Sequence, residues 1–242
     1  MLQRLLFNTA QPVPIKDMPL FAGLAESERD SLLKEGRFCS CPRKKILFRQ
    51  GDPVTHFYVV CSGTVRLFHE TPDGCEITTD IFTVGDTICE MEIFQFCNAH
   101  FSHAEAVHDV VLIEFPKLWL EEKIQQHKMI LRNMLTVLAR RTILREAEVE
   151  RQATMSALQL VACFLQHMVV AHDLDARGFE LPYSKSLIAT RLGMELETFS
   201  RSWSKLRGIG IAVKGKNVQI NNPSAVEQHV CGRCSFMEHC RV

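Results

Sequence analysis

YSKSLIATRLGMELETFSRSWSKLRGIGIAVKGKNVQI, residues 183–220, carries two short helices, a tight turn and a hairpin in its spacing alone. Ser184 is an N-cap residue type ahead of a helix predicted through Leu192, with Leu187, Ile188 and Leu192 facing inward. Gly193 supplies the turn. A second helix is predicted from near Glu195 to about Arg207, where Phe199, Trp203 and Leu206 fall in steps of four and three. On its other face Glu197, Ser200, Arg201, Ser204 and Lys205 follow helical spacing, and all five are polar. The following IGIAVKGKNVQI reads as a basic hairpin turning at Gly215-Lys216-Asn217. Two helices around a glycine turn, the second with a polar stripe and a basic wing beside it, suit reading double-stranded DNA. A plain helical hairpin with solvated charges gives the same periodicity, so the charge around it matters.

Formal net charge over the 242 residues is zero, yet the charge is uneven. From Arg177 to Lys216 there are eight basic residues against Glu180, Glu195 and Glu197, a local surplus of five. That favours an anion-facing surface in the last third. The opening MLQRLLFNTAQPVP has too short an apolar run for a secretion signal, and no stretch has membrane-spanning length. A cytoplasmic protein without a membrane partner is expected. In such a reducing compartment the ten cysteines do not form a disulfide framework, and only clustered ones suggest metal or redox chemistry. No nucleophile motif, phosphate loop or framed carboxylate pair points to an enzyme.

Upstream, Gly51, Gly63, Gly74 and Gly85 punctuate short β-branched and aromatic runs between about 38 and 115. This pattern predicts an antiparallel roll, barrel or sandwich, with a hairpin at Pro72-Asp73-Gly74. Residues 20–33 predict a short helix before it. After Pro116 no Gly or Pro interrupts a long helical stretch whose seam runs Leu131, Leu135, Leu138, Thr142, Arg145, Val149. Steps of 4-3-4-3-4 are an a/d seam, apolar in its first half, and predict a homodimer contact along Leu131, Leu135, Leu138 and Thr142. SALQLVACFLQHMVVAH then predicts a core helix. The expected architecture is α+β: an antiparallel β-roll at 18–118, a dimerisation helix at 119–152, a winged helix-turn-helix at 153–222 and a cysteine-containing tail at 223–242.

This order of a glycine-punctuated roll, long helix and winged helix-turn-helix resembles the Crp/Fnr superfamily of bacterial transcription regulators, over nearly all of residues 18–222. MELETFSRSWSKL resembles the family's recognition helix and is nearest its Fnr and nitric-oxide-responsive branch. The resemblance implies base readout by Glu197, Ser200 and Arg201 on an Fnr-like palindrome, one half-site per subunit, with RNA polymerase as a further partner. The chemistry suits it: Arg201 can place two donors on guanine O6 and N7, Glu197 can accept from cytosine N4, and Ser200 can meet a thymine methyl or phosphate. Lys185, Thr198, Ser204, Lys205, Lys214 and Lys216 are the expected phosphate contacts, which position the protein without specifying sequence. Leu196 stands where such helices often carry Arg, which alters the half-site preference implied.

The family's roll holds an effector in its nucleotide-binding members. Here GDTICEMEIF (85–94) and HFSHAEAV (100–107) stand in the matching places, with Glu90 retained, Cys89 in place of a Gly, an added Glu92 and Phe101 in place of the phosphate-binding Arg. A cyclic phosphate facing carboxylates with no cation is disfavoured. Haem is an alternative, with His56, His69, His100, His103 and His108 in the roll. CGRCSFMEHC (231–240) instead repeats at the C-terminal end the C-x2-C-x5-C spacing with which Fnr-type sensors hold a [4Fe–4S] cluster. Cys231, Cys234 and Cys240 are the expected ligands, with Cys163, a roll cysteine or His239 as candidates for a fourth. Zinc on the same thiols with His229 or His239 is equally good coordination chemistry.

Overall fold

The computed structural model describes residues 15–95, 98–171, 175–232 and 234–235. The chain divides into two compact units, Met1–Arg140 and Arg141–Val242. The described part of the first opens with 3-10 turns at Ile15–Asp17 and Pro19–Phe21, the second burying Leu20 and Phe21, followed by helix α1 (Glu26–Lys34). The predicted helix therefore starts later than expected. Pro19 favours the tight turn, and the Glu28 side chain accepts from the Ala25 N–H at 3.0 Å to open α1.

Strands β1 (Arg37–Cys41), β2 (Ile46–Phe48), β3 (His56–Ser62), β4 (Val65–Glu70), β5 (Glu76–Phe82) and β6 (Thr87–Ile88) come next. A short helix α2 (Glu90–Phe94) and strands β7 (His103–Ala106) and β8 (Val110–Pro116) complete the roll. They form two antiparallel sheets, β1-β8-β3-β6 and β2-β7-β4-β5. The β4–β5 hairpin pairs Glu70 with Glu76 around the predicted turn.

Strands β3 and β8 are apolar on both faces because each face meets its own core. Val59 and Ile113, paired in register, point to one core with Phe21, Leu32, Phe57, Phe115 and Trp119. Their neighbours Val60 and Leu112 point to the other, with Phe48, Val65, Phe82 and Ile88 between the sheets. Period-two alternation on a doubly covered strand reads as a continuous apolar run. Gly63 lets β3 turn into β4 where a Cβ would lie 2.2 Å from the Asp109 carbonyl oxygen.

The stretch predicted as one helix over 119–152 is two: α3 (Lys117–Gln126) and α4 (Lys128–Thr154), parted at His127 in an extended conformation. Packing explains the break. Trp119 stacks on Phe115 at 4.0 Å while Ile130 and Met134 of α4 enter the same core, and the two helices bend at His127 to do both. Leu138 also packs partly against this core, whereas Leu131 and Leu135 are 39% and 58% exposed and Thr142 lies open on α4. The predicted seam thus splits into an inward and an outward row.

The second unit holds the end of α4, then α5 (Ala157–Ala171), β9 (Phe179–Glu180), α6 (Lys185–Arg191), α7 (Leu196–Lys205), β10 (Ile211–Lys214), β11 (Asn217–Ile220) and α8 (Pro223–Cys231). The three strands pair β10-β11-β9. The stretch expected as a tail from 223 is, in its first half, helix α8. Asn222 caps it by accepting from Ala225 N–H at 3.1 Å, and Val226 and Val230 are fully buried. Gln159 Nε2 of α5 donates to the His229 carbonyl at 2.9 Å. Among the described residues no helix is long and apolar enough to cross a membrane.

Candidate nucleic-acid interface and thiol sites

Ser184 opens α6 by accepting from Leu187 N–H at 3.2 Å. After α6, Gly193 takes φ +62°, which lets the chain reverse within four residues into α7. Phe199 and Trp203 bury one face of α7, their rings 5.2 Å apart, over Leu206. Truncating either aromatic would cost on the order of 3–5 kcal/mol of this unit's stability. The opposite face carries Glu197, Ser200, Arg201, Ser204 and Lys205, all exposed.

Within that row the side chains order one another. Arg201 and Glu197 approach to 3.7 Å with side chains 66% and 83% exposed, and Arg201 Nη2 donates to Thr198 Oγ1 at 3.3 Å. Such exposed contacts are weak, so the guanidinium can be re-aimed at a base edge at small cost. Ser204 Oγ donates to the Arg201 carbonyl at 2.8 Å, so its hydroxyl faces a ligand as an acceptor. Lys185 Nζ sits 4.9 Å from the Trp203 ring centroid, placing its charge at the start of α6. Lys214 and Lys216 are exposed at the tip of the β10–β11 hairpin, and Lys214 pairs in register with Asn217.

Two others of the eight basic residues are paired with carboxylates, only one of them away from open solvent. Arg191 is half-buried in a bidentate pair with Glu148 of α4, through Oε1 and at 3.0 Å through Oε2. Burial pushes the Glu148 carboxyl up, but the Arg191 hydrogen bonds and charge overcome it and hold the group below its ordinary value. Arg177 is paired with Asp175 at 2.9 Å.

Cys231 ends α8 and Cys234 follows on a turn closed by the Cys234 N–H donating to the Cys231 carbonyl at 3.1 Å. Both residues are half-buried, and neither forms a disulfide among the described residues. The carbonyl end of a helix favours a cation beside it. Two thiols on one turn fit a metal or cluster as far as they go; Cys240, and His239 with it, lie outside the described residues. Cys163 does not join them in a three-ligand group among the described residues. The Cys39–Cys41 pair is poorly suited to metal: burial and then Glu114 push Cys39 up to about 11, and burial raises Cys41.

In the roll, sequence spacing missed a grouping. Cys89, Glu92 and His100 are buried, with ligand atoms all within 4.8 Å of one another. They are three and eight residues apart on a short helix and a loop, a spacing with no motif to mark it. Of the roll histidines, His56, His69, His103 and His108 are half-buried and only His100 is fully inside, where it faces Cys89 and Glu92. The haem alternative finds no other enclosed ligand among them.

Residues 38–127 match the cyclic nucleotide-binding domain family, and residues 159–229 match the Crp-like helix-turn-helix domain family. The chain is 28% identical over 201 residues to the transcriptional activator protein Anr of Pseudomonas aeruginosa, covering 79% of this chain and 78% of that protein. It is 24% identical over 184 residues to the anaerobic regulatory protein of Aggregatibacter actinomycetemcomitans, covering 74% and 71% respectively. The solved structure of FixK2 from Bradyrhizobium japonicum shares the fold, with TM-score 0.71 and 23% identity over 81% of this chain and 97% of that one. With a nucleotide-binding-type roll, a long helix and a Crp-like helix-turn-helix in this order, the chain belongs to the Crp/Fnr superfamily of transcription regulators, a non-enzymatic family.

Proposed function

We propose that this protein is a cytoplasmic, homodimeric regulator that binds an Fnr-like palindromic operator and answers to oxygen, nitric oxide or redox state. The observation that carries the DNA reading is the α7 face: an exposed carboxylate, hydroxyl and guanidinium at Glu197, Ser200 and Arg201, backed by buried Phe199 and Trp203. Arg201 specifies guanine, Glu197 accepts from cytosine, and Lys185, Thr198, Ser204, Lys205, Lys214 and Lys216 line the backbone path. The outward row of Leu131, Leu135 and Thr142 on α4 is the subunit contact, which sets the two recognition helices one helical turn of DNA apart. RNA polymerase is the partner this class of regulator addresses.

The test is operator binding by the full chain. Arg201→Ala lowers affinity for a palindrome with the matching guanine by roughly 5- to 150-fold, about 1–3 kcal/mol, and flattens discrimination at that base pair. Unchanged affinity would overturn the assignment of α7.

For the signal, the relatives named as anaerobic regulators and the paired thiols after α8 support an iron–sulfur cluster on Cys231, Cys234 and Cys240. Bound there, a [4Fe–4S] cluster supplies oxygen- and nitric-oxide-sensitive chemistry beside the DNA-binding elements. Anaerobically purified protein is expected to contain iron and sulfide, both lost in Cys231→Ser/Cys234→Ser. Zinc without sulfide would place the same thiols in a structural metal site.

A further inference from the structure

We propose that the roll itself is a divalent-metal site, with Cys89, Glu92 and His100 as the protein ligands of a Zn2+-like ion. This stands apart from the terminal thiols and does not rest on the cluster.

The geometry is that of a coordination polyhedron more than of a hydrogen-bonded trio. His100 Nδ1 lies 3.6 Å from Cys89 Sγ and 3.7 Å from Glu92 Oε1. One imidazole nitrogen has a single lone pair or a single proton and cannot serve both partners. The 3.7 Å separation is also too long for a nitrogen–oxygen hydrogen bond. A tetrahedral zinc with ordinary bond lengths would set the sulfur–nitrogen edge at ~3.6 Å and the nitrogen–oxygen edge at ~3.4 Å. These two edges lie within about 0.3 Å of the observed ones, and the remaining sulfur–oxygen edge is within 4.8 Å.

Burial and orientation support the same reading. Cys89, Glu92 and His100 are 4%, 6% and 4% exposed, and Glu90 beside them is fully buried. An interior thiol, imidazole and carboxylate in one small space are a setting in which a bound cation is favoured. His100 is held by ring and backbone: its ring stacks on Phe48 at 3.7 Å, its backbone carbonyl accepts from Gly51 N–H and its backbone N–H donates to the Asp52 carbonyl, each at 2.9 Å. Cys89 holds φ +77°, a left-handed conformation in a residue with a Cβ, which turns its side chain toward the same space. A thiolate, an imidazole and a carboxylate are the donor set of zinc, with ferrous iron the next best match. Three ligands leave a fourth position for water or a small effector, and the ion would clip α2 to the segment leading into β7.

Cobalt(II) reports this site directly, because thiolate-to-metal charge-transfer and tetrahedral d–d bands are visible in the full chain. Titrating the full chain and its Cys89→Ser and His100→Gln variants with Co2+ is expected to show one fewer bound ion per chain in each variant. Affinity at the lost site should fall by about 100-fold or more, as expected for a direct ligand. Bands from the terminal thiols, where present, persist in all three and serve as the reference. Equal stoichiometry in the natural chain and both variants overturns the proposal, as does absence of any thiolate band assignable to Cys89. Should Cys89→Ser fail to fold by circular dichroism, Glu92→Gln keeps the shape of the site and gives the same reading.

Discussion

At the scale of single residues, environment sorts the cysteines into inert and available thiols. Burial pushes Cys61 up to about 12, and burial with Glu114 pushes Cys39 up to about 11. At pH 8 only about one Cys39 in a thousand is thiolate, and fewer at Cys61. Cys75 lies exposed in the β4–β5 turn, without their burial. Brief alkylation with iodoacetamide at pH 8, mapped by peptide mass spectrometry, should modify Cys75 well ahead of Cys39 and Cys61. Equal rates would mean the roll opens on the alkylation timescale. The exposed polar face of α7, with Glu197, Ser200 and Arg201, was legible because a polar stripe opposite a buried one is written in helical spacing. Arg191 was not: it belongs to the same basic run, and only the folded chain shows that Glu148 claims it.

At the scale of elements, that pair joins α6 to the end of α4, and its pH dependence follows from the sign of the shift. Glu148 has its folded value held below the ordinary 4.5, so the stability it contributes is fully present above about 4.5. It is lost as pH falls through the lowered value. Glu148→Gln should therefore destabilise the second unit at neutral pH, with the gap to the natural chain closing below pH 4 in acid-unfolding curves. A gap that persists undiminished at pH 2 would assign the effect to packing. Helix α4 offers a second test: Leu135→Glu, on its outward row, should convert a dimer into a monomer by sedimentation while leaving helix content unchanged. Had Leu135 been a core residue, the same change would unfold the roll. The sequence carried the seam's period but not its division. Ile130 and Met134 compete for the roll core and bend the chain at His127, where no Gly or Pro marks a break.

At the scale of the whole molecule, the order of roll, helix and winged helix-turn-helix was readable from glycine spacing, the a/d seam and a Ser-capped helix followed by a glycine turn into an amphipathic one. Helix α8 carries its own start signal in Asn222-Pro223, although the expectation for 223–242 was a cysteine-containing tail. The Cys89–Glu92–His100 grouping was not readable, because the fold returns the loop before β7 to the start of α2, and no local motif relates His100 to the other two.

The two-faced strands β3 and β8 have a consequence for how the sensing unit yields. Each donates alternate residues to separate cores, so neither core can melt while the other keeps its strands. Amide protons of Val59 and Ile113 can then reach solvent only when the entire roll comes apart, which makes hydrogen exchange there a direct gauge of its global unfolding free energy.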